Sequence, residues 1–129
     1  MPELKYAKQF SEADLIVFAA PYWDLSFPAS VKAYIEAVNV CGITFRYTEE
    51  GIPVGLCRAK RLIYVTTAGG PVIEPNMGYA YIRELAQMFH GIEKAEYYKA
   101  ENLDIYGADV DGIMAAAKAQ IKEKVIWGR

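Results

Sequence analysis

The chain has 129 residues, 53% of them hydrophobic, with 16 acidic against 14 basic side chains for a net charge of −2. That length supports a single domain, 1–129, around one core, and the balanced charge excludes the basic face that nucleic-acid binding needs. No apolar run nears the roughly 20 residues that cross a bilayer, and Met1-Pro2-Glu3-Leu4-Lys5 lacks a signal-peptide pattern, so a cytoplasmic protein with no membrane partner is expected.

Residues 3–12 read as the end of a helix or a linker. Leu15 to Ala20 is a continuous apolar run without alternation, the pattern of a strand buried on both faces. Next comes Ala19-Ala20-Pro21-Tyr22-Trp23-Asp24-Leu25-Ser26-Phe27-Pro28, a loop crowded with two aromatics, an acid and two prolines. Val31, Tyr34, Ile35 and Val38 then fall at i, i+3, i+4 and i+7, one apolar helix stripe, with Ser26 suited to cap it and Pro28 to its first turn.

Thr44-Phe45-Arg46-Tyr47 and Val54-Gly55-Leu56 flank a turn-rich insert, Thr48 to Pro53, that fits a small hairpin or flap. A second buried strand, Leu62 to Thr66, ends in Thr67-Ala68-Gly69-Gly70-Pro71. Residues 77–90 carry Ile82, Leu85, Ala86 and Phe89 on one helix stripe, with Gly91 as the stop. Lys94 to Ala100 reads as a third strand, and 109–126 as a final helix with Ile113, Ala117, Ile121 and Val125 spaced by four. Strand–helix alternation of this kind predicts a parallel α/β sheet with helices on its faces.

In such a sheet the loops 21–27 and 67–76 leave at the same carboxyl edge, where ligands of open α/β folds bind. Gly69-Gly70 permits close backbone approach to a flat or anionic ligand, and Tyr22 with Trp23 offers a wall for a planar ring. A plain turn and ordinary aromatic packing explain the same residues equally well, so residue types alone leave a ligand site and a bland loop as alternatives. Hydrolytic chemistry finds no support. The lone histidine, His90, sits near a helix end and reads as surface or satisfied core, Cys41 and Cys57 form no CxxC, and GxSxG, Walker and GxGxxG motifs are absent. Glu49-Glu50 and the group Arg58, Lys60 and Arg61 read as solvated surface.

The run ADLIVFAAPYWDLSFPASVKAYIEAV, followed by GITFRYTEEGIPVGL and KRLIYVTTAGG, resembles the FMN-dependent NADH-azoreductase and NAD(P)H:quinone oxidoreductase family, from about Ala13 to the C-terminus. The resemblance implies a flavodoxin-like, three-layer α/β/α fold and an FMN cofactor. It implies that Pro21, Tyr22, Trp23, Asp24 and Leu25 wrap the isoalloxazine ring, and that Thr67, Ala68, Gly69 and Gly70 contact its N1 and O2 edge through the backbone. It places Asp24 near the substrate and Tyr47, with Phe45, on a flap that covers the substrate side, often from the partner subunit of a homodimer. The implied reaction is ping-pong: NAD(P)H reduces FMN and leaves, and a quinone or azo compound then accepts the electrons. No catalytic side chain is nominated and no metal, since positioning and exclusion of water carry the work.

Family members begin with a strand, a Ser-rich phosphate loop, a helix and a second strand, and this sequence starts after them. The deficit is on the order of 60 residues at roughly 30 per β–α unit. An N-terminally truncated fold is therefore expected, with weak or absent FMN affinity. The strand at 15–20 is expected to leave an open apolar edge, and self-association is expected through that edge or through the apolar helix faces around 28–40. The alternative from another class is a non-catalytic module that self-associates or completes its sheet with a partner chain. A one-electron flavodoxin carrier ranks lowest, because −2 is mild for such carriers.

Overall fold

The computed structural model describes residues 4–125. Residue 3 of the expected first helix and residue 126 of the expected last one lie outside that range. The elements run in order α1 (Leu4–Glu12), β1 (Ile16–Pro21), α2 (Ala29–Val38), β2 (Phe45–Tyr47), β3 (Pro53–Gly55), β4 (Arg61–Thr67), α3 (Met77–Leu85), β5 (Lys94–Ala100) and α4 (Val110–Lys124). A π-helical turn, Ala86–His90, continues α3, and Gly91 ends it at φ 75°, a conformation that costs glycine least.

The apolar runs form a three-stranded parallel sheet in the order β1-β4-β5. Ile16 sits opposite Leu62 and Phe18 opposite Tyr64, so one residue parity of the strands faces α1, α2 and α3. Phe10, Ile35, Val38, Ile82 and Ala86 fill that side, together with Ile92. On the other face Ile63 and Tyr98 meet Val125 and Ile121 at the α4 end. The three layers α/β/α are therefore present, with unequal halves.

That inequality corrects one expectation. β1 is not buried on both faces: Ile16, Phe18 and Ala20 are buried, while Val17 is 51% exposed and Ala19 is exposed. α4 packs on β5, and among the described residues no helix crosses β1 on that face. β1 is also an edge strand. Its outer side borders a groove of about 480 Å³ between α1 and α2, walled by Phe10, Leu15, Val31 and Tyr34.

Two local expectations also change. Ser26 does not cap α2: the helix begins at Ala29, so Pro28, two residues beyond Ser26, occupies the N-cap position without a side-chain bond, while the Ser26 backbone pairs with Trp23 in a turn. Side-chain caps stand on other helices: Asn76 accepts from the Gly78 and Tyr79 amides at the start of α3, and Asp109 accepts from the Gly112 amide at the start of α4. Arg61 is not simply solvated either. Its Nε and a terminal nitrogen donate to the two Glu96 oxygens at 2.8 and 3.0 Å, across the β4–β5 pairing, and both side chains are mostly covered.

The insert at 48–53 is the turn of an antiparallel β2–β3 hairpin. Thr48 closes it, its backbone pairing with Ile52 and Gly51 and its hydroxyl accepting from the Ile52 amide. The hairpin lies on the π-helical turn: Phe45 and Tyr47 meet Phe89 at ring centroids of 5.1 and 6.4 Å. Gly55 backs directly onto Gly91, where a Cβ would fall on the His90 and Gly91 backbone.

Candidate functional site

β1 and β4 are parallel and in register to their last residues, Pro21 opposite Thr67, so their exit loops begin side by side. The Tyr22 amide donates to the Thr67 carbonyl at 2.8 Å and carries the pairing one step past the strands. The chain then reverses in a two-residue turn. Trp23 and Ser26 exchange backbone bonds of 3.0 and 2.8 Å, with Asp24 and Leu25 between them at φ 51° and 69°. Both central residues at positive φ define a type I′ turn, which glycine or asparagine usually occupies; an aspartate and a leucine there hold strain. The Met77 amide donates to the Leu25 carbonyl at 3.0 Å and pins the turn to α3.

Across from this turn, residues 67–70 are held from below by the loop that follows β5. The Ala68 amide donates to Ala100, while Asn102, Leu103 and Asp104 donate in turn to the carbonyls of Gly70, Ala68 and Gly69, at 2.9 to 3.1 Å. Farther along, the Glu101 carboxylate accepts from the Val72 amide at 2.6 Å and the Tyr22 hydroxyl accepts from the Ile73 amide at 3.2 Å. Lys99 donates to Glu74 at 2.8 Å and pairs with Glu101 at 3.1 Å. The Lys99 bond is the main reason the Glu74 carboxyl is held below the usual carboxylate range.

The result is a hollow of about 420 Å³ lined by Pro21, Tyr22, Trp23, Thr67, Ala68 and Gly69, with Leu103 and Asp104 closing the third side. Among the described residues, the amides of Asp24, Leu25, Gly69 and Gly70 donate to no protein acceptor, while those of Tyr22, Trp23 and Ala68 are spent on the fold. Trp23 keeps 59% of its surface exposed, so it is no core residue. Six of the nine cofactor residues expected from sequence thus line one hollow. Asp24, Leu25 and Gly70 stand next to it in the chain without lining it.

Phe45 and Tyr47 do not join that hollow. Phe45 is 7% exposed and packed in the hairpin's own aromatic cluster, while Tyr47 is half exposed beside it. Of the two readings of His90, surface or satisfied core, the second is the one found. Its ring is buried, Nε2 lies 2.6 Å from Asn39 Oδ1, and desolvation pushes its pKa down to about 4. Cys57 is buried, its thiol pushed up to about 11 by desolvation, and Cys41 is a free thiol at the surface.

Leu103 and Asp104 escaped the sequence reading. The signal for them is the carboxyl edge itself: the third strand exits after Ala100 beside the other two, which brings residues 101–104 to the same place.

The sequence profile of the flavodoxin-like fold family matches residues 2–125, and the chain belongs to that family. It is 48% identical over 129 residues to FMN-dependent NADH:quinone oxidoreductase 2 of Clostridium acetobutylicum, covering 93% of this chain and 64% of that protein. It is 44% identical over 125 residues to an FMN-dependent NADH:quinone oxidoreductase of Caldicellulosiruptor bescii, covering 93% and 61%. The crystal structure of an azoreductase from Bacillus anthracis superposes with a TM-score of 0.77 at 33% identity, covering 93% of this chain and 59% of that one. The chain thus spans a little over three fifths of the length of the curated relatives it matches. Among the described residues no helix is long and apolar enough to cross a membrane.

Proposed function

We propose that the hollow holds the ring of FMN and that the chain serves an NAD(P)H-driven reduction of quinones or azo compounds. The observation that carries this reading is the meeting of the two strand-exit loops, each with two backbone N–H groups free of protein acceptors, around an exposed indole. Names borne by relatives at 44 to 48% identity support the substrate class.

The residues present suit a flat heterocycle with acceptor atoms along its rim. Gly69 in the lining, with Asp24, Leu25 and Gly70 next to it in the chain, carries N–H groups without protein acceptors, held by the turn and by the loop after β5. Pro21, Tyr22 and Trp23 give apolar surface, and Thr67 and Ala68 form the floor. They do not suit a phosphate: the one charged side chain lining the hollow is Asp104, an anion. When bound, FMN supplies the two-electron carrier that alternates between a nicotinamide and a quinone or azo acceptor in a ping-pong cycle. The protein's share is to hold the rim by preorganised dipoles and to keep water from the face beside Trp23. Asp24, at the tip of the turn next to the hollow, is the residue we assign to substrate contact. Tyr47 and Phe45 line no part of this hollow, so their role in substrate binding requires the flap of a second copy, and we assign the working unit as a homodimer.

Titration of the 129-residue protein with FMN and with riboflavin, followed by flavin fluorescence, tests the reading. Both flavins bind, with dissociation constants within about threefold of each other, because the donors address the ring and not the phosphate. NADH-dependent quinone reduction appears only once flavin is added. Flavin fluorescence that ignores the protein would end the proposal. The uncovered β1 edge with its 480 Å³ groove favours a second reading, a module that acts by completing its sheet with another chain. Flavin binding without turnover would support it.

A further inference from the structure

Asp104 is the one charged side chain among the residues that line the hollow, and it arrives from a loop that no motif pointed to. Three successive backbone bonds, from Asn102, Leu103 and Asp104 to Gly70, Ala68 and Gly69, clamp that loop under the Gly69-Gly70 turn. Asn102 takes φ 64° to allow this path. The carboxylate lies against Gly69 so closely that a Cβ built there would stand 2.7 Å from Asp104 Oδ2. A side chain at position 69 and a carboxylate at 104 therefore compete for one space.

We propose that Asp104 is a specificity-determining residue that makes the hollow select a neutral ring over its anion. This rests on the reading of the hollow as a flavin-ring site. The Gly69 and Gly70 amides point partial positive charge outward and favour negative charge on whatever they touch. A fixed carboxylate beside them opposes it, because a like charge within a few ångströms disfavours ionisation of a neighbour. The balance between dipoles and carboxylate sets how readily a bound ring carries charge. The rival role is mechanical, Asp104 serving only as a prop under Gly69. Asparagine keeps the shape and removes the charge, so it separates the two.

The probe is 8-hydroxyriboflavin, whose ring ionises in water with a change of colour and whose anion carries charge by conjugation to the N1–O2 edge, the edge assigned to Gly69 and Gly70. Its absorbance is titrated with pH when bound to the 129-residue protein, to Asp104→Asn and to Asp104→Ser, with circular dichroism confirming that each variant folds. Glu74, Lys99 and Glu101, which brace the same loop, and Asp24 and Tyr22 on the facing side are common to all three proteins and cancel in the comparison. The ring pKa is expected to be about 0.5 to 1 unit higher in the unmodified protein than in either variant, a three- to tenfold bias toward the neutral form. Equal ring pKa values in all three, with the probe bound, would overturn the charge role and leave the prop. A probe spectrum untouched by the protein would overturn the flavin-ring reading itself, and this inference with it.

Discussion

His90, the chain's lone histidine, shows what burial does to a single group. It is 3% exposed, meets Phe10 edge-on at 4.9 Å, and has Asn39 Oδ1 as its polar partner. Desolvation lowers its pKa to about 4, below the ordinary value of 6.5, so the ring is neutral in the folded chain across the physiological range. Between those two values the unfolded chain binds a proton that the folded chain refuses. Stability is therefore full above about pH 6.5 and declines as acid is added. Between pH 7 and pH 5 this group alone removes about 2 kcal/mol, a loss visible in denaturant midpoints before most carboxylates titrate. His90→Gln flattens that segment of the profile; an unchanged slope would refute the assignment. Leu25 is the other telling residue: half exposed, at φ 69°, it holds strain without burying much surface, which is how a site residue differs from a packing one.

Elements meet in two ways in this molecule. Within the sheet, the agreement is the one the apolar runs announced: Lys94–Ala100 forms the third strand with the expected bounds, and Gly91 ends its helix where its lack of a side chain allows. The hairpin shows the limit. Thr48 to Pro53 was legible as a turn, but its docking on the π-helical turn depends on two glycines 36 residues apart, Gly55 and Gly91, whose backbones touch. Gly55→Ala forces a methyl group into the His90 and Gly91 backbone and is expected to cost about 3 kcal/mol of stability, read as a fall in the denaturant midpoint. A midpoint unchanged by the substitution would show that the hairpin rests there without close packing. Ser26 is the matching failure at the start of α2. Its residue type fits a cap, yet the helix begins at Ala29 and Pro28 takes that position.

At the scale of the whole molecule, the uneven covering of the sheet is the dominant fact. Among the described residues one face carries α1, α2 and α3, the other only α4 beside β5, and the edge strand β1 leaves Val17 and Ala19 open. An unpaired apolar edge templates pairing with another strand. Purified chain is expected to self-associate at micromolar concentration, and Val17→Lys to shift it toward monomer in light scattering. Monodisperse monomer before substitution would sink this expectation.

The order and period of the elements were determined by the sequence itself, because a strand must carry apolar or aromatic residues where helices cover it and a helix must repeat its apolar face about every 3.6 residues. Those constraints act between near neighbours, so Leu62–Thr66, Lys94–Ala100 and the edge position of the loops after them could be read directly. Tertiary structure alone decided that the Asp104 carboxylate lies on Gly69, that Phe45 turns into its own hairpin cluster, and that His90 loses its water. Each of these depends on register and packing between segments far apart in the chain, and no local pattern encodes which distant backbone will arrive alongside.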